Sequence, residues 1–94
     1  MKFEWDDNKE KSNIDKHGID FTTAALVFND SNRIEAYDDE HSMFEDRYRT
    51  IGRIADTVII VAVSYTERLD AIRIISARIA DKREEREYYE RKGN

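Results

Sequence analysis

Two groups of residues in this sequence carry side chains able to move protons or hold anions. Lys16 and His17 stand side by side in "DKHG" (15–18). An imidazole titrates near neutral pH and suits proton transfer, and an ammonium beside it can steady a phosphate or a developing oxyanion. The same two cations would also complement the C-terminal end of a helix closed by Gly18, so their position equally fits a structural role. The second group is arginine. Arg47, Arg49 and Arg53 recur at even spacing in "RYRTIGR" (47–53), and Arg68, Arg73 and Arg78 follow in the next two segments. Brought into line on neighbouring strands, these guanidinium groups would form a cluster suited to phosphate, because each presents a planar fork of donors and stays charged. Any single one could instead pair with a carboxylate.

Other chemistries have less support. Without cysteine there is no disulfide and no thiolate nucleophile, and two histidines cannot build a His-rich zinc site. A metal would have to be held by carboxylates, and neither metal nor cofactor is expected. His41, inside the acidic run "DDEHSMFED" (38–46), reads as a solvated side chain. Glu84, Glu85 and Glu87, interleaved with Arg83 and Arg86, read as a solvated helix face. A Walker loop, a GxGxxG turn, a GxSxG elbow and an HExxH pair are absent from the sequence.

Charge is divided unevenly. The net charge of −5 opposes phosphate binding. Yet residues 1–46 carry 13 Asp and Glu against 5 Lys and Arg, whereas residues 47–94 carry 8 against 11. The second half can therefore hold a local anion-binding face.

The elements that must position these groups follow from periodicity. Ninety-four residues make one domain with a small core, 1–94. "KFEW" (2–5) reads as an edge strand with Phe3 and Trp5 on one side. Asp6 or Asp7 caps a solvated helix that ends at Gly18, and Asp20 caps "FTTAALVF", whose Phe21, Ala24, Ala25 and Phe28 make one apolar face. "RIEAYDD" (33–39) alternates only weakly. "RYRTIGRIA" (47–55), "VIIVAVSYT" (58–66) and "AIRIISARIA" (71–80) read as three strands of an antiparallel meander. Strict alternation in the last puts Arg73 with Ile75 and Ala77, and Ile72, Ile74, Ser76 and Arg78 on the opposite face. Asp81 caps a final polar helix. The expected fold is α+β, in the order β-α-α-β-β-β-α, with helices packed on an antiparallel sheet. No apolar run approaches a membrane span, and the N-terminus lacks the apolar stretch of a signal peptide, so no membrane contact and a cytoplasmic location are expected.

Three stretches together resemble a known family, the BrnT toxins of type II toxin-antitoxin systems. They are "FEWDDNKEKSNIDKHGIDFTTAALVF" (3–28), "EDRYRTIG" (45–52) and "RIISAR" (73–78) ahead of a charged helix. The resemblance implies a RelE-like fold and a metal-independent ribonuclease that cleaves RNA and inhibits translation. It also implies a BrnA-like ribbon-helix-helix antitoxin as partner, with DNA engaged only through the toxin-antitoxin complex. Carried onto this chain, Lys16, His17, Arg49, Arg73 and Arg78 are the implied catalytic residues, and Arg47, Arg53, Arg68 and Ser76 the implied RNA-binding ones. The acidic 38–46 segment is a natural surface for a basic antitoxin. A different class of function, a non-catalytic protein-binding or regulatory module of the same fold, would use the arginines only to balance carboxylates.

Overall fold

In the computed structural model, which describes residues 1–92, five strands form one sheet with three helices around it. β1 (Lys2–Glu4) leads into α1 (Asp7–His17) and α2 (Phe21–Ala25). Then come β2 (Ile34–Tyr37), β3 (Tyr48–Arg53), β4 (Ile60–Arg68), β5 (Ala71–Ile79) and α3 (Lys82–Lys92). Gly93 and Asn94, the end of the expected terminal helix, lie outside the described residues. Among the described residues no helix is long and apolar enough to cross a membrane.

The expected caps set the helix ends. Asp6 accepts from the amides of Asn8 and Lys9 at 2.8 and 3.0 Å, and Gly18 closes α1 at φ 70°, a left-handed conformation. Asp20 accepts from Thr23 N at 2.6 Å. At α3 the cap is reciprocal: Glu84 N donates to Asp81 Oδ1 at 2.8 Å and Asp81 N to Glu84 Oε1 at 3.0 Å. The segment expected as one helix over 21–28 is α2 followed by a 3₁₀ turn, Leu26–Asn29, which still buries Phe21, Ala24, Val27 and Phe28.

The sheet order is β1-β5-β4-β3-β2, and it corrects two expectations. The weakly alternating "RIEAYDD" supplies a paired edge strand, β2, so four strands rather than three follow the helices and the order is β-α-α-β-β-β-β-α. The sheet is also mixed rather than antiparallel, because β1 runs parallel to β5, with Phe3 opposite Ile72 and Glu4 opposite Arg73. Short connections force antiparallel neighbours along β3, β4 and β5, but β1 meets β5 across most of the chain, where direction is free. One face of the sheet packs Val61, Val63, Tyr65, Ile74 and Ala77 against the α2 segment. On the other, Ile34, Ile51, Ile60 and Ala62 pack with Tyr88 of α3.

A β-bulge decides which side chains share that second face. Ser64 pairs with Ser76 but Tyr65 pairs with Ile74, leaving Ile75 as the extra residue. One inserted residue reverses the facing of everything beyond it. Contrary to strict alternation, Ala77 therefore joins Ile72 and Ile74 on the α2 side, opposite Val63, Tyr65 and Glu67. Arg73, Ser76 and Arg78 share the α3 side with Thr66, Ser64 and Ala62.

β1 covers β5 only as far as Arg73, so the rest of that edge needs another partner. Asn13 of α1 supplies it. Its Nδ2 donates to Ala77 O at 2.8 Å and Ile19 O at 2.9 Å, and its Oδ1 accepts from Ala77 N at 3.0 Å. A buried side-chain amide thus replaces a strand and satisfies backbone groups that could not be left bare.

Candidate active site: an arginine-lined cleft on the sheet

The α3-facing side of the sheet carries a row of small side chains, Ser64 and Ser76 paired directly, with Arg49 opposite Ser64 on the third strand. The adjacent row runs Ile51, Ala62, Arg78. Small residues in the middle and arginines at both sides leave a cleft of about 300 Å³. Arg47, Arg49 and Arg78 line it, above Ala62, Ser64 and Ser76, and Asp38 and His41 approach from the segment between β2 and β3.

The three arginines differ in how they are held. Arg78 is gripped by Glu84, Nη1 to Oε1 at 2.6 Å and Nη2 to Oε2 at 3.0 Å. That hydrogen bonding holds the Glu84 carboxyl below its ordinary range against the opposing effect of burial, helped by the Asp81 amide and the charges of Arg78 and Arg49. The same bond raises Arg78, so the pair stays ionised. Arg47 and Arg49 make no ion pair among the described residues, and their charge is available to a ligand. An anion entering the cleft meets three guanidinium groups on its walls, and forked, permanently charged donors of that kind suit phosphate.

Comparison with known families now bears on this geometry. A family model described as "Ribonuclease toxin, BrnT, of type II toxin-antitoxin system" matches residues 5–84. The chain belongs to the BrnT family. The matched span contains every residue lining the cleft and ends on Glu84, the residue that grips Arg78. BrnT membership makes this a ribonuclease toxin of a type II system by family, with an antitoxin as its partner. No curated protein matches the chain.

Of the positions that the BrnT resemblance marked, the cleft gathers Arg47, Arg49, Ser76 and Arg78. Lys16 and His17 line an adjoining cleft of about 340 Å³ between α1 and β5, and Ile75 and Ser76 belong to the walls of both. The remaining arginines stand elsewhere. Arg73 donates to Glu4 Oε2 at 2.8 Å across the β1–β5 margin, and Arg68 to Glu45 Oε1 at 3.0 Å. Arg53 borders a third cleft with Asp30 and Tyr88. There Arg53 N and the Tyr88 hydroxyl donate to the same Asp30 oxygen, at 2.8 and 2.6 Å. Burial alone would raise Asp30, but hydrogen bonds from Tyr88, Arg53 N and Asn32 N outweigh it and hold the carboxyl low. Burial and the Asp30 contact push Tyr88 up to about 12.

Sequence reasoning passed over His41, Asp38, Ser64 and Glu84. Glu84 is not on a solvated face: only 9% exposed, it both caps α3 and holds Arg78. His41 is solvent-exposed, as its acidic surroundings led one to expect, but it is held in place. It ends a 3₁₀ turn, Asp39–His41, capped by Asp38, whose Oδ2 lies 2.9 Å from His41 Nδ1. The usable signal was the Asp-x-x-His spacing, which lets one carboxylate cap a turn and hold its last side chain. Among the described residues no three His, Asp or Glu side chains gather as a metal-ligating group.

Proposed function

We propose that this chain is an endoribonuclease that works without a metal ion, cutting RNA in the arginine cleft and so inhibiting translation. The observation that carries the reading is the convergence of Arg47, Arg49 and Arg78 on one cleft with a small, hydroxyl-bearing floor. RNA can be cut by its own 2′-hydroxyl attacking the neighbouring phosphorus. The phosphorane that forms gains negative charge, which fixed donors stabilise more in the transition state than in the ground state. Guanidinium groups supply the positive charge that a metal would otherwise bring. Lys16 and His17, across the Ile75–Ser76 wall, hold the strand where it leaves the cleft. Arg53, Arg68 and Arg73 extend the phosphate-binding surface, the last two by exchanging a carboxylate partner for RNA.

The proposed setting is the cytoplasm, with 1–94 acting as one RelE-like toxin domain. A basic ribbon-helix-helix antitoxin of the BrnA kind would neutralise it, docking against the acidic 38–46 segment, and only their complex would touch DNA. Inducing the chain with and without the gene beside it tests this: growth arrest and RNA cleavage are expected alone, and neither in the pair.

One observation favours the non-catalytic module instead. Arg68, Arg73 and Arg78 each already hold a carboxylate. On that reading purified protein leaves RNA intact at every concentration tried.

A further inference from the structure

Cleavage in the arginine cleft needs a group to take a proton as well as positive charge, and the geometry points to His41 as that group, with Asp38 as its positioning residue. The inference rests on the ribonuclease reading.

Several bonds pin the segment that carries His41. Asp38 N donates to Arg47 O at 2.8 Å and Arg47 N to Ser42 Oγ at 2.9 Å, so the neck of the loop is tied to the start of β3. Asp38 Oδ1 accepts from His41 N at 3.3 Å while Oδ2 meets the ring at Nδ1. The carboxylate is the sheltered member, its side chain 16% exposed against 58% for the imidazole. An ionised carboxylate only accepts, so it fixes the proton on Nδ1 and leaves Nε2 with a free lone pair. Nε2 has no protein partner among the described residues, and the residue lines the cleft that Arg47, Arg49 and Arg78 surround.

In the reaction, His41 Nε2 takes the 2′-hydroxyl proton as the 2′-oxygen bonds to phosphorus. The bond from phosphorus to the 5′-oxygen breaks, and that oxygen takes a proton from water. The products are a 2′,3′-cyclic phosphate and a 5′-hydroxyl, and the imidazolium returns its proton to solvent. The charged groups that line the cleft with the ring are Asp38, Arg47 just before β3, Arg49 of β3 and Arg78 of β5, and Asp39 and Glu40 share its turn.

The test compares wild type, His41→Ala, Asp38→Asn and Arg49→Ala on a single-stranded RNA oligonucleotide, following cleavage, RNA binding and the effect of added imidazole. His41→Ala is expected to lose about 100- to 10,000-fold in rate, to bind RNA as wild type does, and to recover rate when imidazole is supplied. Asp38→Asn, which keeps the turn cap, is expected to lose less and to shift the pH–rate profile. A His41→Ala variant that cuts within two-fold of wild type, while Arg49→Ala does not, overturns the role of His41 and leaves the ribonuclease standing. So does a loss that imidazole never restores. Wild-type protein that cuts no RNA, free or on ribosomes, overturns both.

Discussion

Arg78 and Glu84 are joined end to end by two hydrogen bonds, and the same glutamate closes the capping box at the start of α3. One side chain therefore fixes both the angle of the last helix and the position of a cleft arginine. Glu84→Gln keeps an acceptor for the Asp81 amide but loses the charge, whereas Glu84→Ala loses both. Because Arg78 is about one-third exposed, its ion pair is discounted for screening, and the alanine variant is expected to cost about 1–2 kcal/mol. Glutamine should cost less than alanine. Chemical denaturation of the three proteins checks the order.

Stability should fall on acidification for a stated reason. Glu84 and Asp30 both titrate lower in the folded chain than their ordinary values of 4.5 and 3.8. Each contributes stability that is fully present above those values and disappears as pH falls through its lower folded value. Tyr88, pushed up to about 12 from 10.0, acts in the opposite sense, and its contribution fades as pH rises between the two. Thermal melts across the acid range should show a shallower loss for Glu84→Gln than for wild type.

Asn13 is expected to be among the least replaceable polar residues. It makes three buried hydrogen bonds, two of them to Ala77 on the uncovered edge of β5. Asn13→Ala leaves those backbone groups unpaired, at a cost of about 2–4 kcal/mol. Amide exchange at Ala77, measured by NMR, should accelerate in the variant.

Gly52 belongs to "TIGR", and its reason is space. A Cβ there would lie 2.8 Å from Val27 Cγ1 and 3.1 Å from Arg33 Cβ. Gly52→Ala must push the 3₁₀ turn off β3, and overpacking of this kind costs about 1–3 kcal/mol. Urea unfolding gives the number, and an unchanged midpoint contradicts the packing.

Much of this architecture was legible locally. Asp6, Asp20, Asp81 and Gly18 mark helix ends because capping depends on a few neighbouring residues. The meander follows from short turns between apolar runs. The bulge at Ile75 was not legible, since "RIISAR" offers isoleucine, serine and arginine to either face and only pairing with Ser64 and Tyr65 settles the shift. The parallel β1 depends on a contact spanning most of the chain. At the site, Arg47 and Arg49 could be placed on one face by counting, but their meeting with Arg78 waited on the bulge. His41 was hidden by composition: the five acidic residues of 38–46 suggested solvent, while the fold ties the neck of that loop to β3.

The central claim is that the arginine cleft cuts RNA. Single-stranded RNA incubated with purified protein in EDTA, wild type against Arg49→Ala, tests it most directly, because Arg49 has no ion pair among the described residues whose loss would disturb the fold. The account predicts cleavage by wild type that EDTA leaves unchanged, ending in a 2′,3′-cyclic phosphate, and a fall of about 100- to 1,000-fold in the variant. Equal rates for the two proteins, or cleavage that EDTA abolishes, would contradict it.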